Sequence, residues 1–246
     1  MADHNNKTAI VTGSSKGIGA AVAKRLASDG FCTIVNYLSS EPEAHAIVAE
    51  IEGAGGRAIA VKADVVDAAG VRSLFDRAES EFGPVDVLVN NAGILQRKLL
   101  VDVTDEDYQR VIASNLTGSF NGMREGAKRV RDGGRIINFS TSIIGYYVPS
   151  YAVYAGAKAA VEAMTHVLAK ELGNRAVTVN AVAPGPVGTE LFLTGASEEV
   201  VRRLTAEIPL GRLGEPDDIS AVVSFLAGPD SHWVNGQVIK ANGGRN

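Results

Sequence analysis

Short apolar runs rich in Val and Ile alternate along the chain with longer stretches in which apolar residues recur near every 3.6 positions. The short runs, Thr8–Thr12, Thr33–Asn36, Ala58–Val61, Val85–Asn90, Arg135–Phe139, Val177–Val182 and Gln237–Lys240, predict seven strands. The periodic stretches, Gly17–Gly30, Glu41–Gly53, Asp67–Phe82, Thr104–Arg131, Tyr151–Leu172 and Pro216–Gly228, predict helices. Val22 and Leu26 mark the inner face of the first, and Val161, Met164 and Leu168 that of the fifth. Strands apolar on both faces belong in a parallel sheet covered on both sides, and right-handed crossovers then make a doubly wound α/β fold. It is expected to form one Rossmann domain over residues 1–246, with its ligand beyond the carboxyl ends of the strands. Only 185–214 breaks the alternation. Pro186, Gly188, Gly195, Pro209 and Gly211 surround a short helical segment there, read either as a substrate lid over about 186–214 or as a surface insertion.

Composition narrows the chemistry. A chain of 246 residues buries roughly 70–75% of its unfolded surface, so it needs neither disulfide nor structural metal, and Cys32 is its single cysteine. His4, His45, His166 and His232 stand at no metal-ligand spacing, so no metal is expected. A net charge of −4 argues against nucleic acid as a partner. No apolar run approaches the ~20 residues that span a bilayer, and Met1–Lys7 lacks the apolar core of a signal peptide, so a cytoplasmic protein without a membrane partner is expected. The 27 glycines gather beside the apolar runs, where they suggest turns that approach a ligand closely.

The first such turn is Thr12-Gly13-Ser14-Ser15-Lys16-Gly17-Ile18-Gly19, between the first strand and the first helix. Glycines here bring backbone up to a pyrophosphate and let it rest on a helix amino end, where free N–H groups and the dipole favour an anion. The spacing G-x-x-x-G-x-G resembles that of the short-chain dehydrogenase/reductase family, and further motifs extend the likeness over essentially the whole chain. Asn90-Asn91-Ala92-Gly93 follows the fourth strand, Tyr154-Ala155-Gly156-Ala157-Lys158 matches the family's Y-x-x-x-K, Asn115 falls in the expected helix, and Pro184-Gly185 follows the sixth strand.

Residues four apart share a helix face, so Tyr154 and Lys158 face one site, and a nearby ammonium favours a phenolate. Tyr151 competes with Tyr154, but four residues beyond it stands Ala155. The resemblance implies that Tyr154 is the proton donor, that Lys158 also bonds the nicotinamide ribose, and that Asn115 positions a water passing protons to Lys158. It also implies a hydroxyl that polarises the carbonyl. Thirteen positions before Tyr154 is Thr141, whereas Ser142 has the commoner side chain and begins Ser142-Ile143-Ile144-Gly145; Ser142 is preferred, with Thr141 close behind.

Cofactor choice turns on Asn36-Tyr37-Leu38-Ser39-Ser40, which holds no carboxylate to bind the ribose hydroxyls of NAD, while Lys16 is placed to pair with a 2′-phosphate. NADP(H) is therefore expected, contacted by Gly13, Ser15, Lys16, Gly17, Ile18 and Gly19 in the loop and by Asn36, Tyr37 and Ser39 after the second strand. By resemblance Asn91, Ala92 and Gly93 also contact it, and Pro184, Gly185, Val187 and Thr189 line the nicotinamide amide. Asp64 and Val65 would meet the adenine, with helix capping the alternative role for Asp64. Tyr146, Tyr147, Leu191, Phe192 and Leu193 would wall an apolar substrate pocket.

The resemblance implies an NADPH-dependent reductase that turns a small-molecule ketone into an alcohol, commonly as a homotetramer. Segment 233–244 and the glycine loop are most similar to the tetrahydroxynaphthalene reductase subgroup, which points to cyclic or aromatic ketones. Two alternatives stay open. One is a 3-oxoacyl-carrier-protein reductase docking its carrier on Arg124, Lys128, Arg129 and Arg131, which equally serve as ordinary dipole partners at a helix end. The other is a non-catalytic NADP-binding sensor on the same fold.

Overall fold

The computed structural model describes residues 7–194 and 197–246. Its strands β1 (Lys7–Val11), β2 (Phe31–Tyr37), β3 (Arg57–Lys62), β4 (Val85–Asn90), β5 (Arg135–Phe139), β6 (Thr178–Pro184) and β7 (Val238–Ala241) form one parallel sheet in the order β3-β2-β1-β4-β5-β6-β7. The seven expected strands are all present, β4 and β5 with the expected ends and the others with ends shifted by one or two residues. The helices are α1 (Gly17–Ser28), α2 (Glu41–Gly53), α3 (Ala68–Phe82), α4 (Asp105–Ile112), α5 (Gly118–Arg129), α6 (Ala152–Glu171), α7 (Glu190–Leu193), α8 (Glu198–Ala206) and α9 (Pro216–Ala227). Met1–Asn6, with His4 and most of the segment read as lacking a signal-peptide core, and Gly195 of the expected lid lie outside the described residues.

Successive strand side chains point to opposite faces, and both faces are covered. Val11, Val35, Val89 and Ile137 join Val22 and Leu26 of α1 and Val223 and Leu226 of α9 in one core layer. Ile10, Ile34, Leu88 and Ile136 join Leu74 and Phe75 of α3 and Met123 of α5 in the other. β1 and β4 lie side by side with Val11 opposite Val89, and the chain leaves them in opposite directions across the sheet, so the loops after both strands open into one crevice. Among the described residues no helix is long and apolar enough to cross a membrane, and Cys32 is a free, buried thiol.

The helix expected over Thr104–Arg131 departs from its pattern. Thr104 and Asp107 close a capping box at the start of α4, but 113–117 widen into a π turn before α5 begins. Such bulges shift side-chain direction inside a continuous helix, and this one carries Asn115. The 185–214 stretch holds two helices, α7 and α8, capped by Thr189 and Ser197, where one was expected.

Candidate active site

The crevice beyond β1 and β4 has two lobes that meet at Ile18, Asn91, Gly93, Ile94, Thr189 and Leu191. The larger, about 850 Å³, runs along the glycine loop, Asn36, Leu38, 63–66 and 91–94. Its loop is braced from behind. The Asn91 amide donates to the carbonyls of Thr12 (2.9 Å) and Gly13 (3.0 Å), and the Asn36 carbonyl oxygen accepts from the Gly13 N–H at 3.0 Å. Gly13 sits at φ +62, and a Cβ at Gly19 would stand 2.4 Å from the Gly13 carbonyl oxygen, so neither position tolerates a side chain without moving backbone. No side chain caps α1 at Lys16, leaving its amino-terminal N–H groups open toward the lobe. A cradle of this shape fits a pyrophosphate.

Several expected contacts fall elsewhere. Asn36 reaches the lobe, yet its amide nitrogen is engaged by the carbonyls of Tyr37, Val61 and Ala63 and its oxygen by Gly13, so it holds the loop in place. Tyr37 is buried in the core, because β2 runs one residue past the expected strand end before turning. Ser39 is exposed off the lobe, and Leu38 takes the wall position. Ser15, Lys16, Gly17, Ile18, Asp64, Val65, Ala92 and Gly93 do line it. Asp64 also accepts from the Val66 N–H at 2.8 Å, whereas capping of α3 falls to Asp67. Lys16 is ion-paired to Glu43 at 3.0 Å and lies 3.9 Å from Glu190 of α7. Val66 and Ser114 line the lobe unforeseen, and nothing in their sequence context marks them.

The second lobe is lined by Asn115, Ser140, Thr141, Tyr146, Tyr151, Tyr154, Lys158, Pro184, Gly185 and Val187, with Leu191 and Phe192 of α7 on its outer wall. Tyr147 and Leu193, expected on this wall, are exposed and do not line it. Burial pushes the Tyr154 phenol up to about 12, with the Thr141 hydroxyl, within bonding reach, pulling back part of that rise. Tyr151 is committed elsewhere: its hydroxyl accepts from Arg97 Nε at 2.7 Å.

The hydroxyl preferred from sequence is not the one presented. Ser140 and Ser142 each donate a backbone N–H to β6, to Val182 and Pro184, and the Ser140 hydroxyl bonds Glu162. Ser142 is buried off the cavity, while Thr141 stands on its wall beside Tyr154. The residue presented is the one thirteen positions before Tyr154.

Lys158 is buried, its Nζ donating to the Phe139 carbonyl at 2.9 Å, and burial drives its ammonium down to about 8. The expected lowering of the Tyr154 pKa by Lys158 is not seen; burial is the leading cause on Tyr154 and the one cause on Lys158. Asn115 donates to the carbonyls of Ile94 (2.9 Å) and Val111 (3.0 Å), and its own side-chain oxygen is buried without a partner. A Cβ on Gly93 would stand 2.5 Å from that oxygen and 3.6 Å from Lys158 Nζ. The absent side chain keeps a gap between the two groups, and an unpartnered buried acceptor facing it calls for a donor.

A family model described as enoyl-(acyl carrier protein) reductase matches residues 13–246. A chloroplastic NADPH-dependent aldehyde reductase of Arabidopsis thaliana is 46% identical over 97% of this chain and 93% of its own. A hydroxynaphthalene reductase-like protein of Metarhizium brunneum is 43% identical over 97% and 94%. Among solved structures, a blue fluorescent protein from a metagenomic library in complex with NADPH superposes with a TM-score of 0.93 at 41% identity, covering 99% of each chain.

Proposed function

Since the chain belongs to the short-chain dehydrogenase/reductase family, we propose that it reduces a ketone or aldehyde to an alcohol with NADPH, Tyr154 giving the proton. The observation that carries this reading is the cavity wall on which Tyr154, Thr141 and Lys158 meet beside the glycine-lined lobe. NADPH is supported by the aldehyde reductase and by the NADPH complex among the relatives, and by a lobe whose wall offers Lys16 and no carboxylate after β2 before Glu41. The loop from Gly13 to Gly19 and the amino end of α1 would hold the pyrophosphate, and Lys16 would exchange Glu43 for the 2′-phosphate. When bound, the reduced nicotinamide supplies a hydride to the carbonyl carbon.

The chain's own groups manage the proton. A phenol held near 12 stays protonated at neutral pH and is a donor. An alkoxide is a stronger base than a phenolate, so transfer from Tyr154 Oη to the developing alkoxide runs downhill. Thr141 donates to the same oxygen, and the Lys158 ammonium stabilises the phenolate left behind. Asn115, with its open oxygen beside the gap at Gly93, orients the group that returns a proton toward Lys158.

Carrier-bound substrates are disfavoured by the end of α5, whose cations are already engaged. Arg129 pairs with Asp76 (2.8 Å) and Glu79 (2.7 Å), Lys128 approaches Glu125, Arg131 approaches Asp86, and Arg124 bonds Asn121. A sensor has no use for a lysine buried at a cost in stability. The expected homotetramer belongs to the same reading, with Trp233, 92% exposed, among the apolar side chains that another copy would cover.

The direct test follows absorbance during incubation with NADPH or NADH and a panel of cyclic diketones, quinones, aldehydes and an acetoacetyl thioester. NADPH consumption on a free carbonyl class is expected; consumption on the thioester alone selects the carrier reading, and tight binding without turnover selects the sensor. Gly19→Ala checks the cradle separately. Its Cβ forces the Gly13 carbonyl to move, so NADPH affinity in a fluorescence titration should fall about tenfold or more. Unchanged affinity would place the pyrophosphate elsewhere.

A further inference from the structure

The substrate lobe carries a second polar group for which the proton chemistry has no use. Arg245, in the segment after β7, lines the cavity with its side chain only 9% exposed. Its guanidinium carbon lies 4.5 Å from the centre of the Tyr146 ring, and one terminal nitrogen is ion-paired to Glu207, just beyond α8. A guanidinium has five N–H donors, and the bond to Glu207 is its one hydrogen bond among the described residues. Neither of the two nitrogens left without a protein partner is sealed from solvent. With the rest of the side chain packed, the remaining donors open onto the cavity.

Apart from these groups much of the lining is apolar, with Ile94, Leu95, Ile143, Val148 and Leu204 among it. The cavity therefore offers the Arg245 guanidinium and the Tyr154 hydroxyl on a largely apolar wall. Donors that meet only solvent in the cavity are free to pair with a ligand group that displaces it. The ligand group that matches a guanidinium fork is a carboxylate, which accepts two parallel N–H bonds and is ionised at neutral pH, as an ordinary phenol is not.

Resting on the reductase reading above, we propose that Arg245 is a specificity-determining subsite for a carboxylate on the substrate. The substrate class is then a keto acid with an apolar, cyclic body, its carbonyl at Tyr154 and Thr141 and its carboxylate on Arg245. Glu207 is a positioning residue that holds the guanidinium against Tyr146 and is met by the substrate only through it.

The test is calorimetric titration of the NADP⁺-loaded protein with a cyclohexanone carboxylate and, separately, its methyl ester. The acid should bind about tenfold or more tightly than the ester. Arg245→Leu should bring the acid down to the ester's affinity, and Arg245→Lys should restore part of the preference, which guards against a fold defect in the leucine variant. Glu207→Gln should keep the preference or enlarge it, since it removes the competing carboxylate. Preference surviving in Arg245→Leu, equal weakening of both ligands, or no binding of the acid by the unmodified protein would each overturn the assignment. Turnover separates the two readings: an acid bound with preference but never reduced leaves the subsite standing and the reductase reading fallen, and reduction of both without preference does the reverse.

Discussion

Tyr154→Phe should lower kcat for carbonyl reduction by about three orders of magnitude or more while leaving NADPH affinity within about twofold. The ring keeps its place in the cavity wall and only the hydroxyl goes. That hydroxyl lies within bonding reach of Thr141 and would be the donor to the carbonyl oxygen, and Tyr151 would not replace it because Arg97 holds the Tyr151 oxygen. General acid catalysis is commonly worth 10²–10⁴-fold, and here the oxygen would also lose a hydrogen-bond donor. Steady-state rates with NADPH and fluorescence titration on the same preparation read the two effects apart. Turnover within tenfold of the unmodified protein would remove Tyr154 from the chemistry. Thr141→Val should cost less, because Tyr154 still donates, and Ser142→Ala should cost least, since Ser142 lies off the cavity.

Lys158→Met should produce two changes of opposite sign. Activity should collapse by about two orders of magnitude or more, since the phenolate formed on Tyr154 loses its counter-charge and the proton path loses its carrier. Stability at pH 7, in contrast, should rise. The Lys158 ammonium sits near 8 in the folded protein against 10.5 in an unfolded chain, so the unfolded state holds more protons between those values. Folding stability therefore increases as pH rises from about 8 to about 10.5, and at pH 7 the folded state carries the full cost of the buried charge. That cost is about 3 kcal/mol, and the lost bond to the Phe139 carbonyl returns about 1–2 kcal/mol of it. A net gain of about 1–2 kcal/mol in urea melts at pH 7 is expected, shrinking at pH 10. A methionine variant less stable than the parent at pH 7 would mean that the lysine is a structural asset. In the unmodified protein the same titration should make reductive kcat/KM fall above about pH 8, as Lys158 loses its proton.

How much of this the sequence reveals depends on whether a feature is local. The sheet is legible because strand burial and helix periodicity are local signals: Val11, Ile34 and Leu88 sit in runs apolar on both faces and are buried on both. The glycine loop is legible for a similar reason, since Gly13, Gly17 and Gly19 are fixed by backbone shape within a few residues. Thr141 against Ser142 turns on which of two neighbours reaches the cavity wall: residue type favours Ser142, whereas the wall presents Thr141, at the spacing of thirteen. Asn36 looks like a cofactor contact because it follows β2, yet its bonds to Gly13, Val61 and Ala63 come from other strands and loops. The π turn at Asn115 leaves no mark in the hydrophobic pattern of 104–131. Arg245 is invisible for the plainest reason, because Tyr146 and Glu207 lie 99 and 38 positions away along the chain.

The most direct single measurement uses NADPH deuterated on its transferring carbon, with a substrate that carries both a carbonyl and a carbon–carbon double bond, and locates the label in the product by NMR. Deuterium on the carbinol carbon of an alcohol is the predicted result, and it would disappear with Tyr154→Phe. Deuterium on a carbon of the former double bond, with the carbonyl intact, would contradict carbonyl reduction and assign the site to alkene chemistry instead.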